Sequence, residues 1–255
     1  MRYEIAFQPS YSLAIVQLEP GEEIRAEAGA MVSMSADLTL EAKVNSAQGG
    51  GIFSALKKAV LTQESFFIST IKATSKAGEV TLAPSTPGDI NALEVQKPLM
   101  LHAHSYLAST MNISVDSKFA GFNSFVGGEG LFFLRVTGTG TVFMTSFGAL
   151  YKKTLQPGER YVVDTAHMVA FEEGVTMTTR MAANDGKAGF FKRAATSAAT
   201  GEGLVMEFTG PGNVWIQSRN PGAFSAWVHE LMPKASSASS EGGGLLGTVG
   251  KVFGG

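Results

Sequence analysis

The residues with the greatest capacity for chemistry are carboxylates and imidazoles that fall at equivalent positions of an internally repeated sequence. Glu27, His102 and Asp164 align with one another in three copies, and His104 and His167 lie close by. If the copies surround a shared axis, these side chains would supply oxygen and imidazole ligands for a metal ion, or an acid/base pair. The alternative interpretation is that polar residues alternate along half-exposed strands.

A second set of equivalent carboxylates occurs later in each copy. Glu64, Glu129 and Glu202 each open an apolar segment after a Gly-rich or polar loop. A ring of these carboxylates would bind a ligand, whereas the ordinary role of an acid at such a position is hydrogen bonding to turn amides. Both interpretations remain open from the sequence.

The common catalytic motifs are missing from the sequence. It contains no Gly-x-Ser-x-Gly elbow and no His-Glu-x-x-His pair, and Ala188 follows Gly186-Lys187 where a Walker loop needs a hydroxyl residue. The absence of cysteine excludes thiol nucleophiles and thiolate metal sites. The sequence therefore predicts a protein that is not an enzyme and uses no cofactor.

Patterns that recur in order along the chain indicate the elements that must position these residues. The segment Leu18-Glu19-Pro20-Gly21-Glu22 returns as Leu155-Gln156-Pro157-Gly158-Glu159. Each copy also contains a Gly-x-Val segment, and these segments are Gly78-Glu79-Val80, Gly140-Thr141-Val142 and Gly212-Asn213-Val214. An ordered series of this kind predicts an internal threefold repeat.

The copies are predicted to consist of short strands. Segments such as Ser12 to Leu18 and Leu131 to Val136 are rich in β-branched or aromatic residues and end at turn residues. Pro-Gly pairs favour tight turns at 20–21, 87–88, 157–158, 211–212 and 221–222. No helical periodicity of ordinary length interrupts the copies, so the sequence predicts an all-β fold.

The repeat also predicts the domain organisation. The copies span about residues 12–86, 87–148 and 149–232. A copy of this size can barely bury its own apolar face, so the three are predicted to pack as one compact domain over 1–232 with pseudo-threefold symmetry. Residues 233–255 are predicted to form a flexible Ser/Gly-rich apolar tail.

The ordered set of motifs resembles the altered-inheritance-of-mitochondria family, which has many prokaryotic members. The motifs that carry the resemblance are Gly49-Gly50-Gly51, Glu64-Ser65-Phe66-Phe67, Leu82-Ala83-Pro84, Gly127-Gly128-Glu129-Gly130-Leu131-Phe132, Asp164-Thr165-Ala166-His167-Met168-Val169-Ala170-Phe171 and Gly201-Glu202-Gly203-Leu204. The resemblance covers about residues 3–230. It implies a triplicated fold like that of the tryptophan RNA-binding attenuation protein, built from short β-sandwich or double-stranded β-helix units, and a tendency to oligomerise.

Bulk composition restricts the location and the partners. Only 16% of the 255 residues are charged. The 20 basic and 22 acidic side chains give a net charge of −2, so the chain as a whole does not attract the phosphates of nucleic acids, and we do not expect it to bind them. The N-terminal segment lacks the features of a signal peptide, and no apolar run reaches the length of a spanning helix. We expect a cytoplasmic protein, with peripheral attachment to a membrane as an option.

Three short segments combine apolar and basic residues at helical spacing. Such segments would contact a partner protein or a membrane surface, or would cap the β-core in the case of the first. Their residues are Ile52, Phe53, Leu56, Lys57 and Lys58 in the first, Phe190, Phe191, Lys192 and Arg193 in the second, and Leu245, Leu246, Val249, Val252 and Phe253 in the tail.

Three functional hypotheses follow from the sequence. The leading one is a non-catalytic, homo-oligomeric β-scaffold, with a trimer favoured by the triplication, that binds protein or membrane-surface partners. The second is a binding module for RNA or a small ligand, which is suggested by the fold resemblance alone. The third is a metal-dependent enzyme that uses the set formed by Glu27, His102 and Asp164.

Overall fold

The structure is a computed structural model that describes residues 1–43, 68–116, 132–181 and 204–232. Within these ranges the regular structure is antiparallel β-sheet together with two 3₁₀ turns and one α-helix. The all-β fold class predicted from the sequence is therefore confirmed. The chain divides into two compact units, Met1–Pro221 and Gly222–Gly255.

The first unit begins with β1 (Arg2–Ala6) and continues with the same series of strands in each copy. Copy 1 contains β2 (Leu13–Leu18), β3 (Glu23–Glu27), β4 (Met31–Met34), β5 (Leu38–Lys43), β6 (Ile68–Ala73) and β7 (Gly78–Leu82). Copy 2 contains β8 (Gly88–Val95), β9 (Leu99–His102), β10 (Tyr106–Thr110), β11 (Ile113–Asp116), β12 (Phe133–Gly138) and β13 (Gly140–Phe147). Copy 3 contains β14 (Leu150–Leu155), β15 (Arg160–Asp164), β16 (Met168–Glu172), β17 (Thr176–Met181), β18 (Leu204–Thr209) and β19 (Gly212–Gln217).

Strand pairing within a copy follows one pattern throughout the described residues. The sixth strand of each copy lies between the first and the third, as in the order β2-β7-β4. The fifth strand lies between the second and the fourth, as in the order β5-β6-β3. Each copy therefore contributes one half of its strands to one sheet and one half to another.

Pairing between copies links copy 1 to copy 2 and copy 2 to copy 3. Strand β3 pairs with β10, and β9 pairs with β16 at the equivalent register. Within the described ranges β4 and β15 are edge strands, and no pairing joins copy 3 back to copy 1. The recurring strand order is observed, whereas rotational symmetry around a shared axis stays a prediction.

The Gly-x-Val segments have one structural role in all three copies. The backbone N–H of the middle residue donates to a side chain at or just beyond the end of the third strand, and these acceptors are Ser35 Oγ for Glu79, Thr110 Oγ1 for Thr141 and Glu172 Oε2 for Asn213. The glycine is required because a Cβ at Gly140 would lie 2.3 Å from Thr110 Oγ1. The repeated motif thus marks the start of the central strand of each three-strand group.

The recurring Pro-Gly-Glu segment forms a turn that is closed by its own acid. Gly21 and Gly158 have φ angles of 87° and 77°, which a residue with a side chain rarely adopts. Glu22 accepts a hydrogen bond from the backbone N–H of Glu19 at 2.9 Å, and Glu159 repeats the contact in copy 3 with the N–H of Gln156 at 2.8 Å. These turns confirm the prediction made at both sites.

Helix α1 spans Pro221–Leu231 and was not predicted from the sequence. The pair at 221–222 was expected to form a tight turn, and this expectation is wrong because proline and glycine instead begin the helix. Proline is tolerated there because the first turn of a helix has no hydrogen-bond acceptor for its missing N–H. The compact unit that contains the strands ends at Pro221, and the predicted domain over residues 1–232 stays a prediction. No helix in the described part of the chain has both the length and the apolar character needed to cross a membrane.

Candidate functional site

The structure places Glu27, His102 and Asp164 at matching positions. Each is the last residue of the second strand in its copy, namely β3, β9 and β15. Each also lies opposite an apolar residue of the neighbouring fifth strand, and these partners are Ile68, Phe133 and Val205. The equivalence derived from the sequence alignment is therefore present in the strand register.

Glu27 is a half-buried carboxyl group beside the junction of copies 1 and 2. Burial raises its pKa to about 7. The nearby Tyr106 is fully buried, and its hydroxyl lies 2.9 Å from Ser109 Oγ. Burial raises the pKa of Tyr106 to about 12, and the negative charge of Glu27 adds to this effect. Glu27 is thus chemically able to hold or release a proton near neutral pH.

His102 lies against two other rings. Its imidazole is 5.7 Å from the Phe133 ring, in an edge-on arrangement, and 5.4 Å from the His104 ring, measured between centroids. Burial, together with a smaller effect of the neighbouring His104, lowers the pKa of His102 to about 4. His102 is therefore neutral at physiological pH, while His104 lies exposed on the following 3₁₀ turn, Ala103–Ser105.

Asp164 and His167 are engaged in local structure. Asp164 Oδ1 accepts a hydrogen bond of 2.8 Å from the backbone N–H of Ala166 and so caps the 3₁₀ turn Thr165–His167. His167 Nδ1 lies 2.7 Å from the backbone oxygen of Gln217, whose side-chain amide donates to the backbone oxygen of Ala166 at 2.9 Å. These contacts fix the turn against β19.

The structure brings only some of the predicted site residues together. His102 and His104 are in ring contact, whereas the described residues contain no group of three or more His, Asp or Glu side chains that could hold a metal ion. The metal or acid/base site stays a prediction. The symmetric carboxylates Glu64, Glu129 and Glu202 and the predicted amphipathic segments lie outside the described residues, which exclude 44–67, 117–131, 182–203 and 233–255.

A groove between copies 2 and 3 was not predicted from the sequence. One cavity of about 490 Å³ is lined by the loops around Lys97, Glu173 and Pro211, and a second of about 300 Å³ adjoins it. Both are lined by Lys97 and Glu172. No local motif could have revealed the groove, because its walls come from separate strand ends that only the fold brings together.

Polar and aromatic side chains line the second cavity. Lys152 Nζ lies 5.4 Å from the centroid of the Trp215 ring, within the range of a cation–π interaction. Glu172 is held in place by Asn213, whose side-chain amide donates to Glu172 Oε1 at 2.6 Å. Lys97 and Lys152 therefore line this cavity together with the carboxylates Glu94 and Glu172, while the Trp215 ring is only 3% exposed.

Comparison with known proteins assigns the chain to a family. Over residues 3–219 it matches the family model described as mitochondrial biogenesis AIM24. It is 30% identical over 243 residues to an uncharacterised protein of Streptococcus pyogenes serotype M6, with 93% of each chain covered. It also resembles the X-ray crystal structure of a Streptococcus pyogenes protein, with a TM-score of 0.69, 29% identity, and coverage of 91% of this chain and 99% of the other. This chain is a member of the mitochondrial biogenesis AIM24 family.

Proposed function

We propose that this protein is a non-catalytic, homo-oligomeric β-scaffold that uses an apolar helix to bind a partner. The observation that carries the proposal is the exposed apolar surface of α1. Trp227 is 54% exposed and Leu231 is 65% exposed, and Met232, just beyond the helix, is 55% exposed. An exposed cluster of large apolar side chains in a water-soluble chain is typical of an interaction surface.

The arrangement of these side chains suits a protein partner. Trp227 and Leu231 are separated by one helical turn and thus lie on the same face, and the ring of Phe224 lies 5.8 Å from that of Trp227. The helix contains no Lys or Arg. Interfacial helices that bind anionic membranes usually carry a basic polar face, so the composition of α1 favours a protein groove over a lipid surface.

The test compares Trp227→Ser with Ser225→Lys, a matched control on the same helix. We expect in-cell crosslinking to recover a specific partner with the native chain and the Ser225→Lys variant, and at least tenfold less with Trp227→Ser. Flotation with anionic vesicles examines the membrane alternative. Equal recovery from both variants, or flotation of the native chain that Trp227→Ser abolishes, would contradict the protein-binding assignment.

A further inference from the structure

The outer edge of β8 lacks the cover that its counterpart in copy 1 has. Strand β2 is the first strand of copy 1, and β1 pairs with its outer edge in antiparallel orientation from Arg2 to Ala6. Strand β8, the first strand of copy 2, ends its sheet, and no strand covers its outer side in the described part of the chain. The chain thus contains a covered edge and an open edge of the same kind.

Hydrogen bonds show which groups of β8 form the open edge. The carbonyl oxygen of Ile90 accepts from Gln8 Nε2 at 2.9 Å, and the backbone N–H of Ile90 donates to Asp89 Oδ1 at 2.8 Å. Both backbone groups of Ile90 therefore point away from β13. The register between β8 and β13 is continuous, and this orientation recurs at every second residue of an antiparallel strand, so Ala92 and Glu94 point the same way. The loop after β1 caps the first half of the edge and leaves the second half open.

Strand β1 shows what a strand at such an edge contacts. Tyr3 lies opposite Val16 of β2, and its ring lies edge-on to the Phe143 ring of copy 2 at 5.0 Å between centroids. Met1 and Ile5 pack against the buried cluster that contains Val16 and Phe143. Strand β1 thus adds to the sheet through its main chain and places alternate apolar side chains at the junction of copies 1 and 2.

The strand registers identify the counterpart of Val16 in copy 2. Val16 pairs with Val80, and Leu93 pairs with Val142. Val80 and Val142 are the valines of the Gly-x-Val segments in copies 1 and 2. A residue equivalent to Tyr3 would therefore lie opposite Leu93 if a strand were added to β8.

The second cavity of the groove lies where the side chain of that residue would project. Trp215 is the counterpart of Phe143, because each follows the valine of its Gly-x-Val segment. Leu93 and Trp215 both line the cavity of about 300 Å³. A strand on the open half of β8 would thus direct one side chain into this cavity, as β1 directs Tyr3 toward Phe143.

The polar groups around the cavity favour a peptide over an isolated charged ligand. Glu94 Oε1 accepts from Thr141 Oγ1 at 2.5 Å, and Glu172 Oε1 accepts from the side-chain amide of Asn213 at 2.6 Å. Both carboxylates are thus bonded within the chain, and lysines of opposite charge line the same cavity. A peptide gains main-chain hydrogen bonds at the strand edge, which do not depend on a net charge in the cavity.

We propose that the open half of β8 binds an extended segment of a partner protein, which adds antiparallel to the sheet beside Ala92 and Glu94. Main-chain hydrogen bonds supply the affinity, and an aromatic side chain opposite Leu93 enters the second cavity. The segment carries apolar residues at alternate positions, as β1 does at Tyr3 and Ile5. This surface differs from helix α1, so either assignment can fail without the other.

A peptide with the sequence of β1 is the probe for this site. Fluorescein-labelled Arg-Tyr-Glu-Ile-Ala, which copies residues 2–6, is titrated with the full chain and followed by fluorescence anisotropy. The control peptide is N-methylated at its glutamate, which would lie opposite Ala92, so it keeps every side chain but lacks one N–H. We expect the control to bind at least tenfold more weakly. Equal affinities, or no binding of the unmodified peptide at millimolar chain concentration, would overturn the proposal.

Two substitutions at one position test the edge from the side of the chain. Glu94→Pro removes an N–H that points away from β13, and proline is tolerated at such a position of an edge strand. Glu94→Gln keeps the N–H and is the matched control. We expect Glu94→Pro to weaken binding at least tenfold and Glu94→Gln to bind within twofold of the native chain. Equal binding by both variants, with circular dichroism showing that both are folded, would contradict strand addition.

Hydrogen exchange shows whether the edge is open before the peptide is added. In the free chain the amides of Ala92 and Glu94 should exchange at least tenfold faster than that of Leu93, which faces β13, and the peptide should slow both at least tenfold. Slow exchange of Ala92 and Glu94 in the free chain would show that another segment or a second copy covers the edge, and would overturn the proposal.

Tryptophan emission locates the bound peptide. The chain has two tryptophans, so Trp227→Phe leaves Trp215 as its only indole. Unlabelled peptide should shift the emission of Trp215 with the same midpoint as the anisotropy titration, and a peptide with serine in place of tyrosine should bind at least tenfold more weakly. Binding that leaves the emission of Trp215 unchanged would contradict the assignment of the second cavity.

Discussion

Burial shifts the pKa values of Glu27 and His102 in opposite directions for one reason. Both groups lie at the end of the second strand of a copy, where apolar neighbours reduce contact with water. Low polarity disfavours the charged form, so the pKa of the acid rises to about 7 and the pKa of the base falls to about 4. At neutral pH His102 is uncharged and Glu27 is partly protonated.

The variant Glu27→Gln should stabilise the protein at alkaline pH. Below pH 4.5 the carboxyl is protonated in both folded and unfolded chains, so it carries no penalty there. Between about pH 4.5, where the unfolded chain ionises, and about pH 7, where the folded chain does, the folded chain keeps the proton and loses stability relative to the unfolded chain, and above pH 7 the loss is complete. We therefore expect Glu27→Gln to raise the free energy of unfolding by about 1–2 kcal/mol at pH 8, after allowance for partial exposure, and by much less at pH 4.5.

Urea unfolding at the two pH values measures this difference. Glu4→Gln is the matched control, because Glu4 lies on the exposed face of β1. Its unfolding free energy should follow that of the native chain at both pH values. A gain from Glu27→Gln that is the same at pH 4.5 and pH 8 would show that ionisation of Glu27 does not limit stability.

His102 contributes a pH dependence of opposite sign. The unfolded chain binds a proton to this imidazole below about pH 6.5, while the folded chain resists protonation until about pH 4. Stability associated with His102 is thus present above pH 6.5 and is lost as the pH falls. We expect His102→Gln to flatten the decline in thermal midpoint between pH 6.5 and pH 4, and an unaltered decline would contradict the buried neutral state.

At the scale of the element, the third strand of each copy carries the same bulge, but the strands that pack against it differ between copies. Val32 and Val169 occupy equivalent positions of β4 and β16, yet the first is largely exposed and the second is completely buried. The residue type does not explain the contrast, since both are valines that follow a methionine in a bulged strand. The cause is the neighbouring strand, β9, against which β16 packs and which β4 lacks within the described chain.

This contrast predicts different costs for the same substitution. Val169→Ala removes two buried methyl groups and should lower the free energy of unfolding by about 2 kcal/mol. Val32→Ala should lower it by less than about 0.5 kcal/mol when measured at nanomolar concentration, where the chains are dissociated. Fluorescence-detected unfolding gives both values. Similar losses from the two variants would mean that Val32 is covered within a single chain.

Helix α1 shows how a local pattern can be misread. The spacing of Phe224, Trp227, Val228 and Leu231 is that of one helical face and was visible in the sequence. The Pro221-Gly222 pair at the start of this segment is also typical of a tight turn, and the turn was predicted instead of the helix. Proline and glycine have two opposite uses, in turns and at the first turn of a helix, and only the following residues distinguish them.

At the scale of the whole molecule, three similar copies form a series with unlike ends. Copy 2 pairs with a neighbouring copy through both its second and its third strand, whereas β4 of copy 1 and β15 of copy 3 are sheet edges in the described residues. An open series of this kind resembles other repeat architectures, whose terminal repeats must be either capped or joined to another chain.

Metal content provides a test of the remaining catalytic hypothesis. Because the proposed scaffold needs no metal, we expect protein purified without chelator to hold far less than one metal ion per chain. Elemental analysis by plasma mass spectrometry and a thermal shift with added Zn²⁺ would both detect a site. One metal ion per chain that His102→Gln removes would support the hypothesis of a metal-dependent enzyme and contradict the proposal of a non-catalytic scaffold.

The sequence by itself determined the strand series, the turns at 20–21 and 157–158, and the equivalence of Glu27, His102 and Asp164. These features depend on short-range rules: turn residues fix the backbone locally, and a repeated pattern folds into a repeated strand order. Family membership followed from the same ordered motifs.

Only the tertiary structure decided which of these residues are buried, which edges are paired and where the groove lies. Burial of Leu107 and exposure of Val32 depend on a strand far away in sequence, and the groove beside Trp215 depends on loops from two copies. Contacts of this kind arise from packing between distant segments. No window of the sequence contains both partners, so no local pattern could have specified them.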